Sequence, residues 1–203
     1  FTPTDGGLGS EARRRAVRSR EGIARVLFQP YRCRLAPLNV QMTRTWFFDL
    51  DGPILDVSRK YYRVYADILS QYGYIPLSKP EYWEMKRNKV SEKRILAKSR
   101  ASAVITSYKA LRKKIIESDS YLKFDVIQPG ARSVLRKVAL FHRPVLVTLR
   151  QSAEQLENQL ERLDLKHYFI SILSSGRETV PRWKIKWRLI RKYSSFNRIE
   201  DGV

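Results

Sequence analysis

From residue 44 onward, short apolar runs alternate with longer stretches in which apolar side chains recur every three or four positions. Thr45-Trp46-Phe47-Phe48-Asp49-Leu50 is β-branched and aromatic and is closed by Gly52-Pro53, which predicts a short buried strand running into a loop. Residues 59–73 place Tyr62, Tyr65, Ala66 and Leu69 at helical spacing, and a polar, helix-prone region continues to Leu122 with breaks at Pro76 and Pro80. After Pro129-Gly130, the residues Val134, Leu135 and Val138 share one helical face, and Pro144 introduces a second strand, Val145-Leu146-Val147-Thr148-Leu149. Ser152 followed by Gln155 predicts a helix start of the capping-box type, continued by Leu156, Leu160 and Leu163. Phe169–Leu173 reads as a third strand, and Trp183, Trp187 and Ile190 mark a last helix.

Strands separated by helices predict parallel βαβ units, hence an α/β fold with a Rossmann-like parallel sheet flanked by helices. The helical block 59–124 interrupts this alternation and predicts an inserted α-helical cap, leaving 42–58 and 125–203 for the core. The stretch 1–41 has a different composition. It carries eight Arg and no Lys against Asp5, Glu11 and Glu21, whereas all 15 Lys of the chain follow Met42. The stretch reads as a disordered basic tail, an organelle-targeting segment or sequence upstream of a start at Met42, the last favoured, and is expected to lie outside the fold.

Composition narrows the function classes. Of 203 residues, 43% are hydrophobic, which is enough for a packed core, yet no apolar run approaches the roughly 20 residues of a membrane helix. The lone cysteine, Cys33, excludes an internal disulfide framework and a cysteine-rich zinc site, and a cytoplasmic protein is expected. Forty Lys and Arg against 20 Asp and Glu give a net charge of +20, which points to an anionic substrate or partner. A basic nucleic-acid-binding protein is one alternative; no recognised binding motif and no single basic helix favours it.

The chemistry concentrates at the end of the first strand. Asp49 and Asp51 are two residues apart, so both carboxylates project to the same side of an extended chain, at the carboxyl end of a buried strand where parallel sheets hold ligands. Two carboxylates this close repel unless a cation lies between them or one keeps a proton, so they form a natural Mg²⁺ site. A carboxylate there can attack phosphorus while its neighbour moves protons to and from the leaving oxygen. Gly52 lets a phosphate approach the backbone closely. Asp56, or Ser58, is more simply read as the cap of the following helix.

Phe47-Phe48-Asp49-Leu50-Asp51-Gly52-Pro53-Ile54-Leu55-Asp56-Val57-Ser58 resembles the first motif of the haloacid dehalogenase-like (HAD) hydrolases, an apolar strand followed by DxDG, T, two apolar residues, D and S. Pro53 replaces the usual Thr. The resemblance implies that Asp49 is the nucleophile forming an aspartyl-phosphate and Asp51 the general acid/base. It also implies that Asp49 and the backbone carbonyl of Asp51 bind Mg²⁺. The second motif, a hydroxyl residue ending the next core strand, falls on Thr148, which with Gly52 would bind phosphate; Leu149-Arg150 stands where many phosphatases of the family have Asn first. Pro129-Gly130 and Tyr168-Phe169 match features of phosphoglycolate-phosphatase-like members. The third motif, a Lys near the start of the following helix, falls on Lys184 or Lys186, with Lys186 favoured. The fourth, a pair of acidic residues completing the metal site, has no match: Glu200 and Asp201 lie in a polar segment that looks like the loop before the missing strand. The resemblance therefore implies a Mg²⁺-dependent phosphate-monoester hydrolase acting on a small phosphorylated metabolite, with an incomplete metal site and weakened turnover; a non-catalytic partial chain is the second alternative. The cap aromatics, among them Tyr61, Tyr62, Tyr65, Tyr82 and Trp83, are expected to pack the cap rather than stack on substrate. Arg59, Lys60, Arg63, Lys86 and Arg87 are expected to be mostly solvated.

Overall fold

The computed structural model describes residues 44–175 and 181–197 together with the short strand Val26–Leu27. That strand, β1, pairs antiparallel with Leu173 and Ile172; it falls inside the 1–41 segment, whose other residues, Cys33 included, lie outside the described ones, as do Glu200 and Asp201.

The strand β2 (Thr45–Phe48) leads into β3 (Leu55–Asp56), after which come five helices: α1 (Ser58–Gln71), α2 (Lys79–Arg87), α3 (Glu92–Lys98), α4 (Ile105–Ile115) and α5 (Asp119–Leu122). The chain then returns through β4 (Val126–Ile127), α6 (Ala131–Phe141), β5 (Arg143–Thr148), α7 (Ala153–Arg162), β6 (Ser171–Ser174) and α8 (Arg182–Phe196). The main sheet has the order β1-β6-β5-β2, with β2, β5 and β6 parallel, so the molecule is an α/β protein with helices packed on both faces of the sheet. A separate two-stranded ribbon, β3 against β4, joins the point where the chain leaves the sheet for α1–α5 to the point where it returns. The segment α1–α5 is called the cap below.

The alternation along β5 sets the layers. Val145 and Val147 face one way, into a cluster with Leu173 and with Ile185, Leu189 and Tyr193 of α8. Leu146 faces the other way, into a cluster with Leu135 and Ala139 of α6 and with Leu156 and Leu160 of α7. A strand buried on both faces reads as a continuous apolar run, which is why this one is plain in the sequence. The helices are less literal. On α6 the buried face is Ala131, Leu135 and Ala139 while Val134 is exposed, and on α8 the buried stripe is Ile185, Leu189 and Tyr193 while Trp183 and Trp187 point outward. The third strand begins at Ser171 rather than Phe169, because Lys166–Tyr168 forms a 3₁₀ turn that delays entry into the sheet. Ser152 does cap α7, its Oγ accepting from the Gln155 amide at 3.3 Å. The start of α1 is built differently: Val57 holds the cap position without a side-chain bond, and Asp56 closes a turn by accepting from the Ser58 amide at 2.8 Å.

The cap has its own core of Val64, Tyr65, Ile68 and Leu69 from α1 with Tyr82, Ile95, Leu96 and Tyr108 from the other helices. The rings of Tyr65 and Tyr82 stack at 4.4 Å, and the Tyr65 hydroxyl is hydrogen-bonded to Ser99 at 2.5 Å and accepts from the Leu77 amide.

Candidate active site

The β2–β5 register pairs Phe48 with Leu146, so the residues that follow β2 and those that end β5 emerge side by side at the carboxyl edge of the sheet. Asp49 comes from the first and Thr148 from the second. Both line a cavity of about 750 Å³ bounded by the sheet edge, the start of α8 and cap helices α1 and α4. Asp49, 37% exposed, accepts from the Leu50 amide through Oδ1 at 2.9 Å, and its Oδ2 meets the Lys186 ammonium at 2.5 Å. Thr148 is buried, its Oγ1 accepting from the Arg150 amide at 3.4 Å, which leaves its hydroxyl proton to donate. Burial of Ile185 and Leu189 against β5 fixes the turn of α8 that carries Lys186. Lys184 is turned elsewhere, its ammonium 5.4 Å from the ring of Trp183.

Asp51 also lines the cavity, 29% exposed, and its Oδ1 accepts from Arg150 at 2.7 Å. The same guanidinium nitrogen donates to Asp125 Oδ2 at 3.0 Å, and that oxygen accepts further from Lys60 at 2.6 Å and from Gln159 at 2.8 Å. Arg150 is 6% exposed, Lys60 1% and Asp125 not at all, so three charged groups are withdrawn from water together. Two cations facing two carboxylates make the group neutral, the condition under which buried charge is tolerated. Burial opposes a proton on Arg150, but Asp51 and Asp125 more than reverse this and raise its pKa. For Lys60 burial wins, aided by Arg150, and its pKa falls below the usual lysine value despite the two acids.

Gly52 takes a conformation that favours glycine, with φ at +107°. Its amide donates to the Leu55 carbonyl at 2.9 Å and its carbonyl accepts from Gln128 at 3.0 Å; it holds the loop shut and does not line the cavity. The candidate site residues thus divide: Asp49, Asp51, Thr148 and Lys186 converge on one cavity, whereas Gly52 and Lys184 stand outside it. Three contributors are absent from the sequence-based set. The sequence pattern groups Lys60 with the solvated charges, marks Arg150 only as the neighbour of Leu149, which stands where many phosphatases of the family have Asn, and does not single out Asp125. The available signal for Asp125 is a single acid inside Phe124-Asp125-Val126-Ile127, where the chain returns from the cap.

A family model described as haloacid dehalogenase-like hydrolase matches residues 46–192. The chain belongs to this family. No curated protein sequence matches it significantly. Among solved structures, the HAD chain is similar to a HAD-superfamily hydrolase of subfamily IA, variant 1, from Geobacter sulfurreducens PCA, with a TM-score of 0.54 and 16% identity over 78% of this chain and 76% of that one. It is also similar to a hydrolase from Streptococcus pneumoniae TIGR4 (TM-score 0.50, 19% identity, 76% and 79% covered) and to a predicted phosphatase from Clostridium acetobutylicum (TM-score 0.51, 16% identity, 79% and 73% covered). At these identities the likeness establishes the fold. The HAD chain is thus a hydrolase built on a parallel α/β sheet with a helical insertion, and among its described residues no helix is long and apolar enough to cross a membrane.

Proposed function

We propose that this HAD hydrolase cleaves phosphate monoesters through a covalent aspartyl-phosphate on Asp49. The observation that supports the reading is the Asp49–Lys186 pair at 2.5 Å, in a cavity whose wall also holds the buried Thr148 hydroxyl. A phosphoryl group attacked by an Asp49 oxygen comes to lie within reach of Lys186, which neutralises its oxygens, and of Thr148, whose hydroxyl donates to one of them. The P–O bond to the alcohol breaks as the new bond to Asp49 forms, and Asp51 passes to the leaving oxygen a proton brought in with the monoester monoanion. Water then attacks phosphorus, Asp51 accepts its proton, and orthophosphate leaves with Asp49 regenerated. Arg150 occupies Oδ1 of Asp51 and so leaves Oδ2 for the proton transfers.

Mg²⁺ fits the donors present. Asp49 and Asp51 both open into a cavity with room for water and phosphate oxygens, and Mg²⁺ characteristically takes one or two carboxylates and fills its remaining positions that way. Among the described residues no group of three or more His, Cys, Asp or Glu side chains gathers as a closed metal cage. When bound by Asp49 and the Asp51 carbonyl, the ion would neutralise charge on the transferring phosphoryl group. The substrate is a small phosphorylated molecule admitted past the cap helices. The test is hydrolysis of p-nitrophenyl phosphate in Mg²⁺ by the wild type and by Asp49→Asn. The expected result is a loss of about a thousandfold or more in the variant, with wild-type activity abolished on chelation; hydrolysis at equal rates by the two proteins contradicts the reading.

A further inference from the structure

Six cationic side chains line the cavity: Lys60, Lys109, Arg112, Lys113, Arg150 and Lys186. Four are committed. Lys186 meets Asp49, Lys60 and Arg150 share Asp125, and Arg112 pairs with Glu92 at 3.3 Å while lying over the ring of Tyr61. The cavity-lining acid on the cap side, Glu117, is committed as well, accepting from the amides of Gln151 and Ser152 at 2.9 and 3.0 Å. That contact seats the end of the α4 segment on the core and fixes which face of α4 the cavity meets. On that face stand Lys109 and Lys113, one helical turn apart, and neither takes part in an ion pair among the described residues. Like charges at this spacing repel and weaken a helix, and an anion held between them removes that repulsion.

The cavity is also much larger than a phosphate. A phosphoryl group at Asp49, Thr148 and Lys186 fills one corner of about 750 Å³, and the remainder of the substrate extends toward α4. We infer that Lys109 and Lys113 form a second anion subsite, so that the substrate is a phosphate monoester bearing a second phosphate or carboxylate away from the scissile bond. The two ammonium groups supply rotatable donors that suit either anion. This inference rests on the phosphatase reading for the corner it assigns to Asp49, yet its binding prediction is independent of turnover.

The probes are fructose 1,6-bisphosphate and fructose 6-phosphate, which differ by one phosphate, titrated calorimetrically into the full chain with Mg²⁺ chelated. The wild type is expected to bind the bisphosphate about tenfold more tightly, as two partly solvated charge contacts provide. Lys109→Gln/Lys113→Gln should bring the two affinities within about twofold while leaving the monophosphate unchanged. Both lysines are exposed, so the exchange leaves packing intact. A control with the same charge change outside the cavity, Lys114→Gln/Lys137→Gln, separates a local subsite from the general field of a +20 chain and should keep the preference. Equal binding of both probes by the wild type, a preference that survives the cavity variant, or one lost equally in the control overturns the subsite. A failure of the phosphatase reading appears separately, as activity indifferent to Asp49→Asn.

Discussion

The cap and the junction beneath it both bury polar side chains, and they do so by different means. Inside the cap, Tyr65, Tyr82 and Tyr108 are packed as apolar rings, and the Tyr65 hydroxyl is satisfied by Ser99 and the Leu77 amide. At the junction the buried groups are ions. Lys60 from the first cap helix, Asp125 from the returning chain and Arg150 from the core meet beside Asp51. A neutral aromatic core asks only for shape and a few hydrogen bonds, so it tolerates small losses. An ion quartet with three members buried is held together by the balance of its charges, and removing a buried member leaves its partners desolvated and unpaired. The junction is therefore the place where cap position, stability and the site carboxylate Asp51 are tied together.

The sharpest way to break that contrast is Asp125→Ala, which strands Lys60 and Arg150. It should cost about 3–5 kcal/mol in urea unfolding, and a loss under about 1 kcal/mol would mean that the quartet contributes no more than a surface pair. Next in size is the comparison of the two α8 lysines. Lys186→Ala should lower kcat about 10²–10³-fold, the scale of losing one preorganised charge contact to a transition state. Lys184→Ala, which removes an ammonium lying over Trp183, should stay within about twofold, and equal losses in both would detach Lys186 from the chemistry. The smallest effect concerns the cap. Burial raises the pKa of Tyr65, Tyr82 and Tyr108 in the folded protein, while the unfolded chain releases phenol protons near ~10. Below that pH the tyrosines are protonated in both states and their contribution is complete. Above it the unfolded state binds fewer protons than the folded one, so stability falls as pH rises. Tyr82→Phe should flatten the decline between about pH 10 and 11 without removing it; an unchanged slope would contradict burial as the cause.

What was legible in the sequence was local. Phe47–Ser58 carries strand, carboxylates and turn in a dozen consecutive residues, and Val145–Thr148 announces itself because a strand covered on both faces needs apolar residues throughout. The quartet had no such signature. Lys60 and Asp125 are separated by 65 positions, and nothing near Lys60 in the sequence distinguishes it from its exposed neighbour Arg59. Its burial follows from where α1 lands on the returning chain. The choice between Lys184 and Lys186 also depended on tertiary structure: each sits between Ile185 and a tryptophan on a basic helix, and only the docking of Ile185 and Leu189 on β5 decides which ammonium reaches Asp49. Gly52 shows the converse, a residue whose backbone freedom was plain but whose amide is used to close its own loop.

The central claim is that Asp49 becomes covalently phosphorylated, and the most direct test is to look for that bond. The protein would be mixed with p-nitrophenyl phosphate and Mg²⁺, quenched in acid within the turnover time, and mapped by peptide mass spectrometry. One phosphoryl group is expected on Asp49, labile to hydroxylamine and absent from Asp49→Asn. Turnover with no covalent phosphate on the chain, or with the label on another residue, would contradict it.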